Sequence, residues 1–240
     1  MMSLAAACGD TGGAASTSTA TGSSAKEIVT PDAGSSAKEI VTPDNETLAV
    51  TISAVPGATV TVVLAHMRGA DRATWDPIIG PLNDAGNTTL TFDFRGYGES
   101  TGERDTHLDT DLAAAVSRAR TDGASKVVIV GASMGGTAVL EGGARLSADG
   151  VVAISAPAEF LGLDGGAGAA LLTVPTLLID STGDHPYVDQ LTAIEATTGA
   201  SIVTYDGSAH GTAIFATHGV ELTSLIVEFV DRVAAIKTGY

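Results

Sequence analysis

From residue 46 onward the apolar positions gather into short continuous runs, separated by longer stretches of mixed polarity. The runs at 47–55, 60–64, 88–92, 127–130, 151–155, 176–180 and 201–205 are rich in Val, Ile, Leu and Thr, and most lack polar alternation. That pattern predicts strands buried on both faces of a largely parallel sheet. The stretches at 76–84, 105–122, 134–146 and 187–197, with a last one at 220–235, predict helices. Strand and helix alternate along the chain, so the expected fold class is α/β, a mostly parallel central sheet flanked by helices. In such sheets chemistry gathers on the loops at the carboxyl ends of the strands.

The first 45 residues are a different material. From Ser3 to Ser24 the chain is Ser, Thr, Gly and Ala with almost nothing large to bury, a composition that does not offset its ordering entropy. Residues 22–32 (GSSAKEIVTPD) recur letter for letter as 34–44, a tandem copy with a period of 12. Repeat architectures need at least three units to bury a shared core, and Pro31 and Pro43 discourage a helix. The two copies therefore read as a duplication within a linker. The expected organisation is a linker over 1–45 and one folded domain over 46–240.

Composition narrows the function classes. Asp and Glu number 28 against 12 Lys and Arg, a formal charge of −16, so a polyanion is repelled over most of the surface and nucleic acid is not an expected partner. A single cysteine forbids an intrachain disulfide framework and a thiolate-rich metal site; no metal and no cofactor is expected. No uninterrupted apolar stretch approaches the roughly 18 residues of a membrane-spanning helix.

After the predicted strand ending at Val130 comes Gly131-Ala132-Ser133-Met134-Gly135-Gly136, then a helix-forming run. This is G-x-S-x-G in the strand–turn–helix context that exposes a serine nucleophile, with the glycines allowing strand and helix to approach closely. The helix start offers the Met134 N–H to an oxyanion. A serine hydroxyl needs an imidazole to take its proton, and the imidazole needs a carboxylate to fix its tautomer. His66 and His107 precede the serine, leaving His185, His210 and His218 for the order Ser, Asp, His. His210 lies in a flexible loop just beyond the strand ending at Tyr205, the position expected of the base. Asp184 stands in the turn after the predicted strand at 176–180 and is the expected acid; Asp180, closing the strand, is the alternative.

On these residues the chain, from about Leu48 to its C-terminal helix, resembles the α/β-hydrolase family. The segment from Leu64 through His66, Met67, Arg68 and Gly69 to Trp75 resembles the family's His-Gly loop, and by that likeness Arg68 or Met67 supplies the second oxyanion N–H beside Met134. The run from Phe92 through Asp93, Arg95, Gly96 and Gly98 to Ser100 resembles the family's Asp-x-Arg-Gly-x-Gly-x-Ser turn, which implies a bracing role for Asp93 and Arg95. About twenty residues separate the strands at 151–155 and 176–180, too few for a cap domain. The resemblance thus implies an open-cleft, lidless serine hydrolase. Separately, Leu4-Ala5-Ala6-Ala7-Cys8-Gly9 resembles the end of a bacterial lipoprotein signal peptide, which implies an acylated Cys8 and a place outside the cell or in its envelope.

The expected function is hydrolysis of carboxylic esters through an acyl-enzyme on Ser133, with Asp184 and His210 completing the triad and a small-molecule or lipid-like ester as substrate. A thioesterase, amidase or acyltransferase would use the same residues. A non-catalytic envelope lipoprotein that binds a ligand or partner is the reading from a different class, since fold alone does not fix function. Oligomeric state is not encoded in any feature of the sequence.

Overall fold

The computed structural model of the chain describes residues 35–237. The expectations for Cys8, the Ser/Thr/Gly-rich segment and the first repeat copy lie outside the described residues. Ten strands and six helices follow in the order β1 (Ser35–Val41), β2 (Thr47–Ser53), β3 (Val60–Ala65), α1 (Asp76–Asp84), β4 (Thr88–Phe92), α2 (Leu108–Thr121), β5 (Lys126–Ala132), α3 (Met134–Arg145), β6 (Gly150–Ile154), β7 (Glu159–Phe160), β8 (Leu163–Asp164), α4 (Gly165–Ala169), β9 (Thr176–Ser181), α5 (Tyr187–Thr198), β10 (Ser201–Tyr205) and α6 (Phe215–Ala235). Eight strands form one sheet in the order β1-β2-β4-β3-β5-β6-β9-β10. β2 pairs antiparallel with β1 and β4, and every other pairing in that sheet is parallel.

The central strands read as continuous apolar runs because both of their faces are covered. Val63, Ile129, Val151 and Leu178 point into one layer with Leu112 of α2, Leu140 of α3 and Leu191 of α5. Val62, Val128, Val152 and Ile179 point into the other, against Ile78 and Leu82 of α1 and Ile226 and Val230 of α6. Successive residues of a strand face opposite ways, so one short run feeds both layers.

One expectation needs correction. The linker does not extend to residue 45: Ser35–Val41 is the edge strand β1, registered from Ser35 opposite Ser53 to Val41 opposite Thr47. Lys38 and Glu39 are exposed while Ile40 and Thr42 are buried, so only a few side chains of this strand carry an apolar signal, as befits a charged edge. Gly211–Ala235, though interrupted by polar residues, is long and apolar enough on average to cross a membrane by length and composition, yet within α6 Leu222, Ile226, Phe229, Val230 and Val233 form a buried stripe against the sheet. The segment between β6 and β9 carries structure of its own. It holds the β7–β8 hairpin and α4, which lies on α3, and it is too short to roof the sheet.

The expected bracing turn after β4 is a buried ionic network. Asp93 is fully buried and accepts from the Arg72 N–H at 2.6 Å, from the Arg72 guanidinium and from the Glu99 N–H at 3.1 Å. Arg95, 3% exposed, donates to Asp111 through its backbone N–H at 2.8 Å and its guanidinium at 2.7 Å, and reaches Asp44 at 2.7 Å. Removing one member of a buried pair leaves the other charge uncompensated, a loss of about 3–5 kcal/mol. Asp111→Ala is therefore expected to lower stability by about 3 kcal/mol in urea unfolding; a loss within about 0.5 kcal/mol, the ordinary surface value, would contradict a bracing role.

Candidate active site

Ser133 sits between β5 and α3 at φ +47°, ψ −112°, a backbone conformation that L residues rarely adopt. Two glycines make the turn sterically feasible. A Cβ on Gly131 would lie 2.1 Å from the Gly135 carbonyl oxygen, and one on Gly135 would lie 2.3 Å from that of Ala65. The turn is held by the Ser133 N–H donating to Ile154 O at 2.8 Å and the Thr137 N–H donating to Ser133 O at 2.9 Å. The hydroxyl is thereby lifted above the carboxyl end of the sheet, half-buried rather than enclosed.

The structure brings Asp184 and His210 to this serine. His210 Nε2 lies 2.7 Å from Ser133 Oγ, and His210 Nδ1 lies 2.7 Å from Asp184 Oδ2. An ionised carboxylate only accepts, so Nδ1 carries the proton and Nε2 is left to accept from the hydroxyl. Asp184 is nearly buried and the imidazole about one-third exposed. The Tyr187 ring, at the start of α5, lies 4.6 Å from the imidazole centroid and walls one side of it.

The loops that carry acid and base are joined to each other by a continuation of the β9–β10 ladder. The Thr182 N–H donates to Tyr205 O at 2.8 Å, the Gly183 N–H to Gly207 O at 2.7 Å, and Ser181 Oγ to Ala209 O at 2.7 Å. From the other side the Gly211 N–H donates to Ser155 Oγ at 2.8 Å, which in turn donates to Asp180 Oδ1 at 2.7 Å. Ser155 directly follows β6 at φ +48°. Ser155 and Ser181 were not legible as site residues: each is a small polar residue closing an apolar run, a signal shared with many structural positions. The Ser181 hydroxyl is what ties the base loop down.

Asp180 does not touch His210. It is fully buried, accepts from Ser155 and from the Ser181 N–H, and its Oδ2 has no partner among the described residues. Burial, together with the neighbouring Asp184 carboxylate, pushes its pKa up to about 7. The other histidines lie elsewhere: His185 pairs with Asp189 at the surface, and His218 bonds Asp206 O and stacks on Tyr205. His66 is buried, its Nδ1 against Met67 O at 2.8 Å and its Nε2 accepting from the Phe94 N–H at 3.0 Å; burial pushes its pKa down, so it stays neutral and fixes the path of the loop after β3.

That loop and the start of α3 present three candidate oxyanion donors. The N–H groups of Met67, Arg68 and Met134 have no acceptor among the described residues. The Met67 sulfur lies 3.5 Å from Thr212 Oγ1, next to the base loop, and the Arg68 guanidinium is drawn outward to Asp105 at 2.6 Å. Both side chains are thus engaged elsewhere, and the N–H groups of 67 and 68 carry no local hydrogen bond among the described residues. No group of metal-ligating side chains occurs among the described residues.

Asp180 supplies a pH test. A carboxyl whose folded pKa lies above its ordinary value takes up a proton on folding, so its contribution is complete below about pH 4 and is lost as pH rises through about 7. Asp180→Asn copies the protonated acid and removes that slope. Its melting temperature is expected to gain on that of the unsubstituted protein as pH is raised from about 4 to about 8; a constant difference would contradict a buried neutral acid.

Comparison with known proteins bears on the fold. The fold is similar to an esterase of Pyrococcus furiosus at 20% identity, covering 82% of this chain and 90% of that one with a TM-score of 0.73. It is also similar to a serine hydrolase without a lid from Xanthomonas campestris at 20% identity, covering 86% and 98%, TM-score 0.67, and to a thermophilic esterase from Thermogutta terrifontis at 18% identity, covering 82% and 99%, TM-score 0.65. No curated protein matches the chain. A profile of the alpha/beta hydrolase family matches residues 62–191, more than half of the sequence and the part that carries the serine turn, and the chain belongs to that family.

Proposed function

We infer that the protein is a serine hydrolase that cleaves carboxylic esters. The observation that carries this is the unbroken chain of two 2.7 Å contacts from Asp184 through His210 to Ser133, on a serine held at a strained φ of +47°. Ser133 Oγ attacks the ester carbonyl carbon while His210 Nε2 takes its proton; Asp184 keeps the imidazole oriented and stabilises the imidazolium. The carbonyl oxygen, now an oxyanion, is received by the Met134 N–H and by that of Arg68 or Met67. His210 returns the proton to the departing alkoxide. Water, deprotonated by the same imidazole, then attacks the acyl-enzyme and releases the acid.

An esterase and a lidless serine hydrolase share this fold, which supports the reading at the level of the fold. The half-buried serine and the short segment between β6 and β9 support an open cleft that accepts extended or bulky acyl groups. The resemblance of the segment ending at Cys8 to a lipoprotein signal supports a place outside the cell or in its envelope.

Hydrolysis of p-nitrophenyl esters of graded acyl length tests the assignment. Ser133→Ala is expected to lower kcat by about 10⁴-fold or more with no loss of thermal stability, and Asp184→Asn, which disturbs the tautomer, by about 10⁴-fold. Turnover retained in Ser133→Ala would overturn it.

A further inference from the structure

The edge strand of the sheet is made from a sequence that the chain carries twice. Residues 35–44 supply β1 and the turn after it, and the segment 34–44 to which they belong repeats residues 22–32 letter for letter. Three side chains anchor the copy seen in the sheet. Ile40 is buried in the core layer that also holds Leu112 and Ala114 of α2. Thr42 closes the turn: its N–H donates to Glu46 O at 2.8 Å and its Oγ1 accepts from the Glu46 N–H at 3.0 Å. Asp44 accepts from the Arg95 guanidinium at 2.7 Å, which holds its carboxyl well below the usual range. Ile28, Thr30 and Asp32 are the same residues at the same spacing. The remaining hydrogen bonds, the backbone ladder to β2 and the Arg118 guanidinium donating to Glu39 O at 3.5 Å, engage the main chain, which does not distinguish one copy from the other.

The slot is selective all the same. It asks for an apolar residue, then a threonine two positions on, then a carboxylate two further, a pattern that residues 22–32 meet and the Ser/Thr/Gly-rich stretch before them does not. Placing the first copy in the slot moves residues 33–44 into the connection to β2, which lengthens it by 12 residues. Loop-closure entropy rises only with the logarithm of length, so going from about 4 to about 16 residues weighs roughly tenfold against the exchange. A segment on the same chain also competes at an effective concentration near the millimolar range, far above that of a second molecule in dilute solution.

We propose that the groove beside β2 is a strand-docking site with two interchangeable occupants from the same chain, residues 34–44 and residues 22–32. The nearer copy holds it about ten times as often. Exchange changes the length of chain between the domain and Thr21 by 12 residues, about 40 Å when extended, while leaving the sheet and the bond to Arg95 intact. The duplication thereby gives the domain two tether lengths with one folded structure.

Thermal and urea unfolding of the full chain and three variants tests this. Ile28→Asp is expected to match the parent. Ile40→Asp, whose slot the first copy can refill, loses no more than about tenfold in the unfolding equilibrium. Ile28→Asp combined with Ile40→Asp, which leaves no competent occupant, loses roughly a further hundredfold, and all these values are independent of protein concentration. An Ile40→Asp variant as unstable as the double variant would overturn the proposal, because the slot would then have one occupant only. So would a double variant as stable as the parent, or an Ile40→Asp variant whose stability recovers only at high protein concentration, which would assign the refilling strand to a second molecule.

Discussion

Main-chain hydrogen bonding between β9 and β10 does not stop where the strands end. Parallel register sets Tyr205 beside Ser181, and the same ladder then runs on through Thr182, Gly183 and the Ser181 hydroxyl into the segment that ends at His210. Acid and base are therefore carried on two loops that behave as one extension of the sheet. Because β9 is registered on β6 and β6 on β5, the position of that extension relative to Ser133 follows from strand pairing in the core. A shift of one residue in any of these pairings would turn the side chains to the opposite face and disassemble the site.

The site also concentrates what the rest of the molecule would find unfavourable. Ser133 and Ser155 both hold positive φ, and Asp180 is a buried carboxyl with an oxygen that no described residue satisfies. These features meet in one network, in which Ser155 joins Asp180 to the backbone beside His210. Strain of this kind persists only where the surroundings over-determine it, and here two fully covered apolar layers do so. The acidic side chains that are buried in the turn after β4, Asp93 and Asp111, are matched by Arg72 and Arg95, so a chain of net charge −16 keeps its interior close to charge balance.

Much of this was legible in the sequence, because the central strands are covered on both faces and so appear as unbroken apolar runs, and because Gly131 and Gly135 are demanded by backbone contacts that tolerate no side chain. The choice of Asp184 over Asp180 also rested on something physical: a residue beyond the strand end reaches into the loop layer, whereas one closing the strand points into the core, where Asp180 indeed lies. What escaped was whatever depends on tertiary partners. β1 carries few inward apolar side chains, and its Lys38 and Glu39 face solvent, so nothing local separates it from the sequence before it. The α6 helix begins at Phe215, earlier than its apolar stripe suggests, across a kink at His218. The roles of Ser155 and Ser181 come wholly from the loops that fold back on them.

The central claim is that Ser133 is an activated nucleophile in the folded protein. Its most direct test is mass spectrometry with tryptic mapping after exposure to a fluorophosphonate, a reagent that phosphonylates the hydroxyl, with loss of fluoride, only when a neighbouring base has prepared it. The account predicts a single adduct, on Ser133, that is lost in His210→Ala. A folded protein that takes no adduct, or one labelled at Ser133 whether or not His210 is present, would contradict it.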